Sequence, residues 1–386
     1  MVVREFHSLR VAAVERLCPD AVAVTFDVPG ELADRYEFRP GQALTVRRAG
    51  AGDERRTYSI CAPAGAPPRI GVREVPGGLV STWLVHDVKP GDEVEVAPPS
   101  GSFTPDLEAG GRHVLIAAGS GITPVLSIAA SLLRRDDVLR RDDVFRRDDV
   151  FRRDDVLRRD DVLRRDDVLR RDDVQVSVLY GNRRAETVMF AEELADLKDA
   201  HPSRLELVHL LSREAREVEL LSGRLDGPKL RALLPLLIDV AAVDHWWLCG
   251  PFGMVTDAQQ VLGEAGVAPE RIHRELFWVD EAPPEPVRPE DVAGPGSEVT
   301  VVLDGRSTTV TVPDGSTVLE GAQQSRPDLP FACKGGVCGT CRARLVEGDV
   351  QMRRNFALEP AEIALGYVLT CQSTPTSAKV VVDFDT

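Results

Sequence analysis

The sequence predicts a multidomain α/β plus β protein: an antiparallel β-barrel, a doubly wound α/β domain, and a β-rich C-terminal unit carrying clustered cysteines. Three observations predict it. Short β-rich runs broken by Pro-Gly pairs fill the first part of the chain. From about residue 112, buried apolar strands alternate with helical segments. Four of the seven cysteines fall between residues 333 and 371. A length of 386 residues suits two or three domains at roughly 150 residues each.

Residues 1–108 form the first predicted domain. Its strands are read at Leu9–Ala13, Ala21–Val28, Ala43–Arg47, Thr57–Cys61, Ile70–Glu74 and Glu93–Ala97, separated by Pro29-Gly30, Pro40-Gly41, Pro76-Gly77 and Pro90-Gly91. Turn chemistry at that spacing indicates a small antiparallel barrel. Residues 109–279 form the second domain, with strands at Val114–Ala118, Val176–Tyr180, Leu205–Leu211 and Trp246–Cys249 and a helix at Val188–Ala200. Continuous apolar strands alternating with helices are the mark of a parallel sheet covered on both faces. Residues 280–297 are Pro-rich and acidic and read as a semi-rigid linker. Residues 298–386 open with two alternating runs, Val299–Leu303 and Thr308–Val312, around Asp304-Gly305, a β-hairpin signature.

Net charge is −15, and seven copies of Arg-Arg-Asp-Asp-Val contribute nothing to it, because their 14 Arg cancel their 14 Asp. The acidic balance excludes a general binder of nucleic acid or anionic membrane. It leaves room for a local cationic pocket. Met1 to Arg10 lacks an apolar run with a small-residue cleavage site, so no secretory signal is expected and the location is read as cytoplasmic. Val114 to Leu133 is long and apolar, but Gly119, Gly121 and Pro124 mark it as strand, loop and helix start rather than a membrane span.

The hexapeptide block from Arg134 to Val174 has no helical stripe, since six residues advance 600° and carry the apolar pairs around every side. Acid-first pairs such as Asp136 with Arg140 give a lone helix about 0.2–0.5 kcal/mol each. A salt-bridged helix and a fluctuating segment are therefore both compatible with it. The block joins a helix end to a strand start, opposite the strand ends where α/β ligands bind. It reads as an in-frame expansion at an edge without function.

The cysteine spacing is C-x4-C-x2-C through Cys333, Cys338 and Cys341, then 29 residues to Cys371. That is the plant-type [2Fe–2S] arrangement and not the paired CxxC of a zinc ribbon. Gly335, Gly336 and Gly339 suit a loop wrapped closely round a cluster with N–H groups aimed at sulfur. Zinc or free thiols are the competing reading. An odd cysteine count without a signal argues against a disulfide framework.

Arg56-Thr57-Tyr58-Ser59 offers a phosphate partner, a flat ring for stacking and a small polar contact. Gly78, Ser81 and Thr82, at a predicted helix start, form a candidate pyrophosphate site. Gly119, Gly121 and Thr123 follow an apolar strand and open a helix. They lack the third Gly of the dinucleotide fingerprint but follow the same logic of tight turn and helix N-terminus. Ser212 and Arg213 end a strand where a 2′-phosphate would be held, with Arg183 and Arg184 adding charge; solvated surface arginines are the rival reading. Cys249, in Cys-Gly-Pro, is placed to meet a nicotinamide ring or to be a small core residue. Glu275 is placed to meet a flavin from the other side. Trp246, Trp247 and Trp278 read as packing, and none of the seven His shows metal spacing.

These motifs, in this order, resemble the ferredoxin–NADP⁺ reductase superfamily with a C-terminal plant-type ferredoxin domain of β-grasp fold. Phe6–Val11, Ala97–Phe103, Leu179–Arg183 and Gly366–Ser373 are most similar to the reductase components of bacterial phenylacetyl-CoA epoxidases. The resemblance covers the chain outside the repeat. It implies FAD, NADPH and one [2Fe–2S] cluster, with Arg56, Tyr58 and Ser59 at the flavin and Gly78, Ser81 and Thr82 at its pyrophosphate. Gly119, Gly121, Thr123, Ser212, Arg213 and Cys249 would hold the nicotinamide nucleotide. It further implies Tyr58, Ser59, Cys249 and Glu275 at the reacting centre, the four tail cysteines on iron, and a di-iron epoxidase as electron acceptor. An acidic surface would steer docking to a basic patch on that partner. A reductase for another aromatic-ring or steroid oxygenase shares every motif, and a redox sensor or scaffold without turnover is the alternative from another class.

Overall fold

A computed structural model describes residues 6–48, 54–134, 174–277, 296–323, 325–358 and 360–386. The interior of the hexapeptide block, nearly all of the 280–297 linker and Trp278 lie outside them.

The barrel is built from β1 (His7–Cys18), β2 (Ala21–Asp27), β3 (Ala43–Arg47), β4 (Arg55–Ser59), β5 (Arg69–Arg73) and β6 (Glu93–Val96), in the order β4-β3-β6-β1-β2-β5. Alternation sends Leu9 and Val11 inward while Ser8 and Arg10 face out. β1 is longer than the predicted Leu9–Ala13. Irregularities between Val11 and Ala13 and between Arg16 and Cys18 carry its pairing with β2 past residues that do not alternate. The outer strands meet where Ile60 bridges Ile70 and the Cys61 N–H bonds Arg69 O, which closes the barrel and removes its free edges.

The second domain holds a parallel sheet in the order β11-β10-β7-β8-β9, from β7 (Arg112–Ala118), β8 (Gln175–Asn182), β9 (Leu205–Leu211), β10 (His245–Gly250) and β11 (Ile272–Leu276). The order reverses between β7 and β10, so a crevice opens beyond their C-terminal ends. Successive residues feed opposite cores. Leu115, Ala117 and Trp247 pack with barrel residues such as Cys18, Ala23 and Phe103. Val114, Ile116 and Trp246 pack on the other face, where Val337 of the C-terminal unit joins them. The apolar run after Val114 resolves into β7, a 3₁₀ turn at Gly119–Gly121 and a helix over 122–134. Pro124 therefore lies in the first helical turn, where its missing N–H costs no intrahelical bond. The helix expected from Val188 starts at Ala191, because Phe190 takes a left-handed conformation (φ 58°) at its N-cap. Among the described residues no helix is long and apolar enough to cross a membrane.

The C-terminal unit has the sheet order β13-β12-β18-β14-β16, from β12 (Ser297–Leu303), β13 (Arg306–Val312), β14 (Arg342–Glu347), β16 (Tyr367–Leu369) and β18 (Lys379–Asp383). A two-stranded pair, β15 (Val350–Met352) with β17 (Ser373–Pro375), lies beside it. The hairpin turns at Asp304 (φ 55°) and Gly305 (φ 70°), the paired positive φ of a tight two-residue loop. A helix at Val318–Gln323 covers the sheet, as a β-grasp requires.

At the N-terminal edge of the parallel sheet, His113, His245 and His273 gather around Trp247. His113 stacks on His245 with ring centres 5.2 Å apart, His273 stacks on Trp247 at 4.1 Å, and the Trp247 indole N–H donates to His113 Nδ1 at 3.3 Å. Burial pushes both His113 and His273 down to about 4. The folded chain keeps these rings neutral while an unfolded chain takes up protons below about 6.5. Stability is therefore complete above pH 6.5 and falls as pH drops towards 4, by roughly 2–3 kcal/mol per ring. His273→Phe keeps the stacking and should flatten this acid limb, measured as Tm against pH between 7 and 4.

Candidate active site and metal centre

The sequence-predicted reactive residues converge where the barrel meets the C-terminal ends of the parallel strands. β4 carries Tyr58 half-buried and Ser59 buried. Ser59 Oγ donates to Glu275 Oε2 at 2.9 Å, a contact between two domains. Parallel register sets Glu275 beside Cys249, whose Sγ lies 4.0 Å from the same carboxylate oxygen. Burial pushes Glu275 up to about 7, against the lowering pull of the Ser59 hydrogen bond. Burial, then the Glu275 charge, pushes the Cys249 thiol up, so it stays protonated. Two neutral donors thus flank a carboxyl that changes charge near neutrality, an arrangement suited to holding or passing a proton.

Arg56 stands on the exposed side of β4, 2.9 Å from Glu54, and donates to Arg55 O at 2.7 Å. Gly78 precedes the helix Leu79–His86. The buried Ser81 hydroxyl accepts from Val75 N–H at 3.1 Å, and Thr82 donates to Glu74 Oε1 at 3.3 Å. Both hydroxyls are hydrogen-bonded within this turn.

Gly119 takes φ 57°, and its carbonyl accepts from the buried Tyr180 hydroxyl at 3.0 Å. Gly121 allows a closer approach: a Cβ there would lie 2.1 Å from Cys249 O. The loop is pressed onto the end of β10. Thr123 is buried, donates to Ser120 O at 2.9 Å and packs its methyl against Gly71 of the barrel. It shapes the loop and does not point into the crevice. The Ser212 and Arg213 N–H groups bond Asn182 O and Arg183 O at 2.9 and 2.8 Å. That pairing lines up exposed Arg183, Arg184 and Arg213 at the ends of β8 and β9.

The four tail thiols come together as two pairs. Cys333 and Cys338 hydrogen-bond one another, as do Cys341 and Cys371. A Cys338 hydrogen bond, with N–H groups of Gly335, Val337 and Cys338, draws Cys333 down to about 6. Gly335 N lies 3.3 Å from its sulfur. Lys334, Gly336 and Gly339 have φ of 50°, 80° and 63°, the turns that aim these N–H groups inwards. Among the described residues no three His, Cys, Asp or Glu side chains converge on one ion-sized point. Two thiol pairs with donors aimed at sulfur fit a binuclear iron–sulfur cluster, one pair per iron. Gln372, buried behind the loop, donates to Lys334 O at 2.8 Å and lies 3.6 Å from Cys371 Sγ. Sequence reasoning did not single it out, although its place next to the fourth cysteine was a usable signal.

Comparison with known proteins identifies the three units by their domains. Residues 8–104 match the oxidoreductase FAD-binding domain, 115–260 the oxidoreductase NAD-binding domain and 301–376 the 2Fe-2S iron-sulfur cluster binding domain. The chain is therefore an oxidoreductase of the ferredoxin–NADP⁺ reductase superfamily, in the branch that carries a C-terminal [2Fe–2S] ferredoxin domain. Among its relatives, one subunit of the 1,2-phenylacetyl-CoA epoxidase of Escherichia coli is 39% identical, covering 98% of both chains. The ferredoxin reductase component of the 3-ketosteroid-9-alpha-monooxygenase of Rhodococcus rhodochrous is 31% identical, covering 97% of this chain and 96% of its own. Phthalate dioxygenase reductase shares the fold over 98% of both chains, with a TM-score of 0.54 at 22% identity.

Two outcomes follow from this geometry. Gly121→Ala forces a side chain into Cys249 O, and should weaken nicotinamide nucleotide binding at least tenfold by titration while leaving the cluster's visible spectrum intact. Glu275 binds its proton more tightly folded than unfolded, so it stabilises the fold below about pH 4.5 and loses that contribution as pH rises through 7. Against Glu275→Gln, the wild-type Tm should fall progressively between pH 5 and 8.

Proposed function

We propose that this chain carries electrons from NADPH through FAD and the [2Fe–2S] cluster to a di-iron oxygenase, the phenylacetyl-CoA 1,2-epoxidase of phenylacetate degradation. The observation that carries the first part is the convergence of Ser59, Cys249 and Glu275 at the switch-point crevice, with a four-thiol loop packed against the same α/β domain. The second part rests on the 39% identical relative, which belongs to that epoxidase.

When bound, the flavin accepts a hydride's electron pair and releases electrons singly, which the cluster requires. The protein supplies the rest. Tyr58 would offer the flavin a ring for stacking and Arg56 a cation for its phosphate, while Ser59 and Glu275 would supply it with a proton-exchanging pair. Gly78, Ser81 and Thr82 shape the pyrophosphate turn. Gly119, Gly121 and Thr123 hold the crevice open for the nicotinamide nucleotide, and Cys249 closes its floor with a small neutral side chain. Ser212 and Arg213, beside Arg183 and Arg184, favour the 2′-phosphate of NADPH over a free ribose hydroxyl. Cys333, Cys338, Cys341 and Cys371 ligate the two irons. We assign residues 1–108, 109–279 and 298–386 to the three domains, joined by the 280–297 linker. We place the protein in the cytoplasm, a reducing compartment that keeps cysteine thiolates available to iron.

The 31% identical steroid-monooxygenase reductase supports a second reading, in which another oxygenase takes the electrons. Reconstitution separates them. The purified holoprotein with NADPH should drive epoxidation of phenylacetyl-CoA by the oxygenase component and fail to drive steroid hydroxylation; the reverse result overturns the first assignment. Arg213→Glu should raise KM for NADPH at least tenfold and leave KM for NADH within about twofold, as loss of a charge-assisted phosphate contact requires.

A further inference from the structure

Arg55 opens β4 and is only 5% exposed, a rare place for a guanidinium. Two of its hydrogen-bond acceptors lie on the C-terminal unit. Nη1 donates to Leu329 O at 3.4 Å and Nη2 to Pro327 O at 3.3 Å. The guanidinium carbon sits 4.6 Å from the centre of the Phe331 ring and 5.3 Å from that of Phe6. Lys334 Nζ approaches the same Phe331 ring at 4.5 Å, so that ring lies between two cations.

Both ends of this contact lead directly to redox positions. Three and four residues along β4 from Arg55 are Tyr58 and Ser59. Two residues after Phe331 is Cys333. A strand is stiff over four residues, and the 329–333 segment is buried for most of its length. We propose that Arg55 is a positioning residue: it clamps the cluster-bearing domain onto the flavin-bearing strand and so fixes the gap that an electron must cross. The inference rests on the flavin-to-cluster route proposed above.

The choice of arginine follows from geometry. A planar fork reaches two carbonyls at once while lying against a ring, whereas the lysine ammonium is a point donor. Electron transfer falls steeply with distance, so a small slip between the domains slows this one step and no other. A second contact limits the slip: Phe252 meets Phe356 edge to face at 5.2 Å, and Val337 enters the α/β core. Losing Arg55 therefore loosens the domain without detaching it.

The test uses the holoprotein and its Arg55→Met, Arg55→Lys and Phe331→Leu variants, mixed anaerobically with NADPH in a stopped-flow instrument. Flavin bleaching should stay within about twofold of wild type, with FAD and iron content unchanged. Cluster reduction, followed at its own visible band and by freeze-quench electron paramagnetic resonance, should slow severalfold in Arg55→Met, because electron tunnelling weakens exponentially as the gap widens. It should slow less in Arg55→Lys. Amide hydrogen exchange across residues 327–333 should quicken in Arg55→Met, a readout independent of turnover. If Arg55→Met does not fold, Phe331→Leu carries the same expectation from the other side of the clamp. Cluster reduction at the wild-type rate in these variants, or unchanged exchange across residues 327–333, overturns the proposal. A wild-type protein whose flavin bleaches while its cluster stays oxidised would instead overturn the electron route itself.

Discussion

The Ser59–Glu275 hydrogen bond spans the seam between barrel and parallel sheet, and the rest of the site is arranged around it. Ser59 comes from an antiparallel strand and Glu275 from the last parallel strand, 216 residues later. Their meeting at 2.9 Å fixes how β4 lies across the ends of β10 and β11. Cys249 then follows from register alone, since parallel pairing sets it beside Glu275. The cost of bringing a carboxyl into this seam is visible in its raised proton affinity. Without the seam, that carboxyl would titrate in the ordinary acidic range and the crevice would lose a group that changes charge near neutrality.

The sheet of the α/β domain serves two neighbours at once because its strands are apolar on both sides. Leu115 and Ala117 answer the barrel while Val114 and Ile116 answer the face that Val337 joins. In each case the neighbour completes a core that the α/β domain has already mostly filled. Domain docking thus draws on ordinary hydrophobic burial, and the polar contacts at the seams set direction and spacing. This division of labour suits an electron carrier, in which affinity between domains matters less than their register.

Much of this was legible in the chain itself. The strand Leu205–Leu211 begins and ends where apolar continuity places it, and the Asp-Gly hairpin turns at the predicted pair. Cysteine spacing led directly to the converging thiols. Misses have physical causes. The helix before Ala200 starts late because a single left-handed Phe190 blocks its first turn, and nothing in the propensity of Phe signals that. Arg55 and Arg56 are adjacent and chemically identical, so sequence cannot say which one turns inward; strand alternation decides, and it buries Arg55 against another domain. The three clustered histidines are separated by more than a hundred residues, then by 28, and only a parallel sheet aligns them. Ser81, Thr82 and Thr123 belong to the loops that their motifs mark, but their hydroxyls serve the loops' own shape.

The helix over 122–134 runs back from the crevice, and Leu133 O receives a hydrogen bond from Arg204, beside the start of β8. Chain leaving at Arg134 and chain returning at Val174 therefore emerge on the rim farthest from the reacting groups. This rim is a natural port for grafting. A fluorescent reporter, an affinity handle or a tether to an electrode could be spliced between those two residues, and the donor-to-acceptor wiring on the far side would keep its spacing.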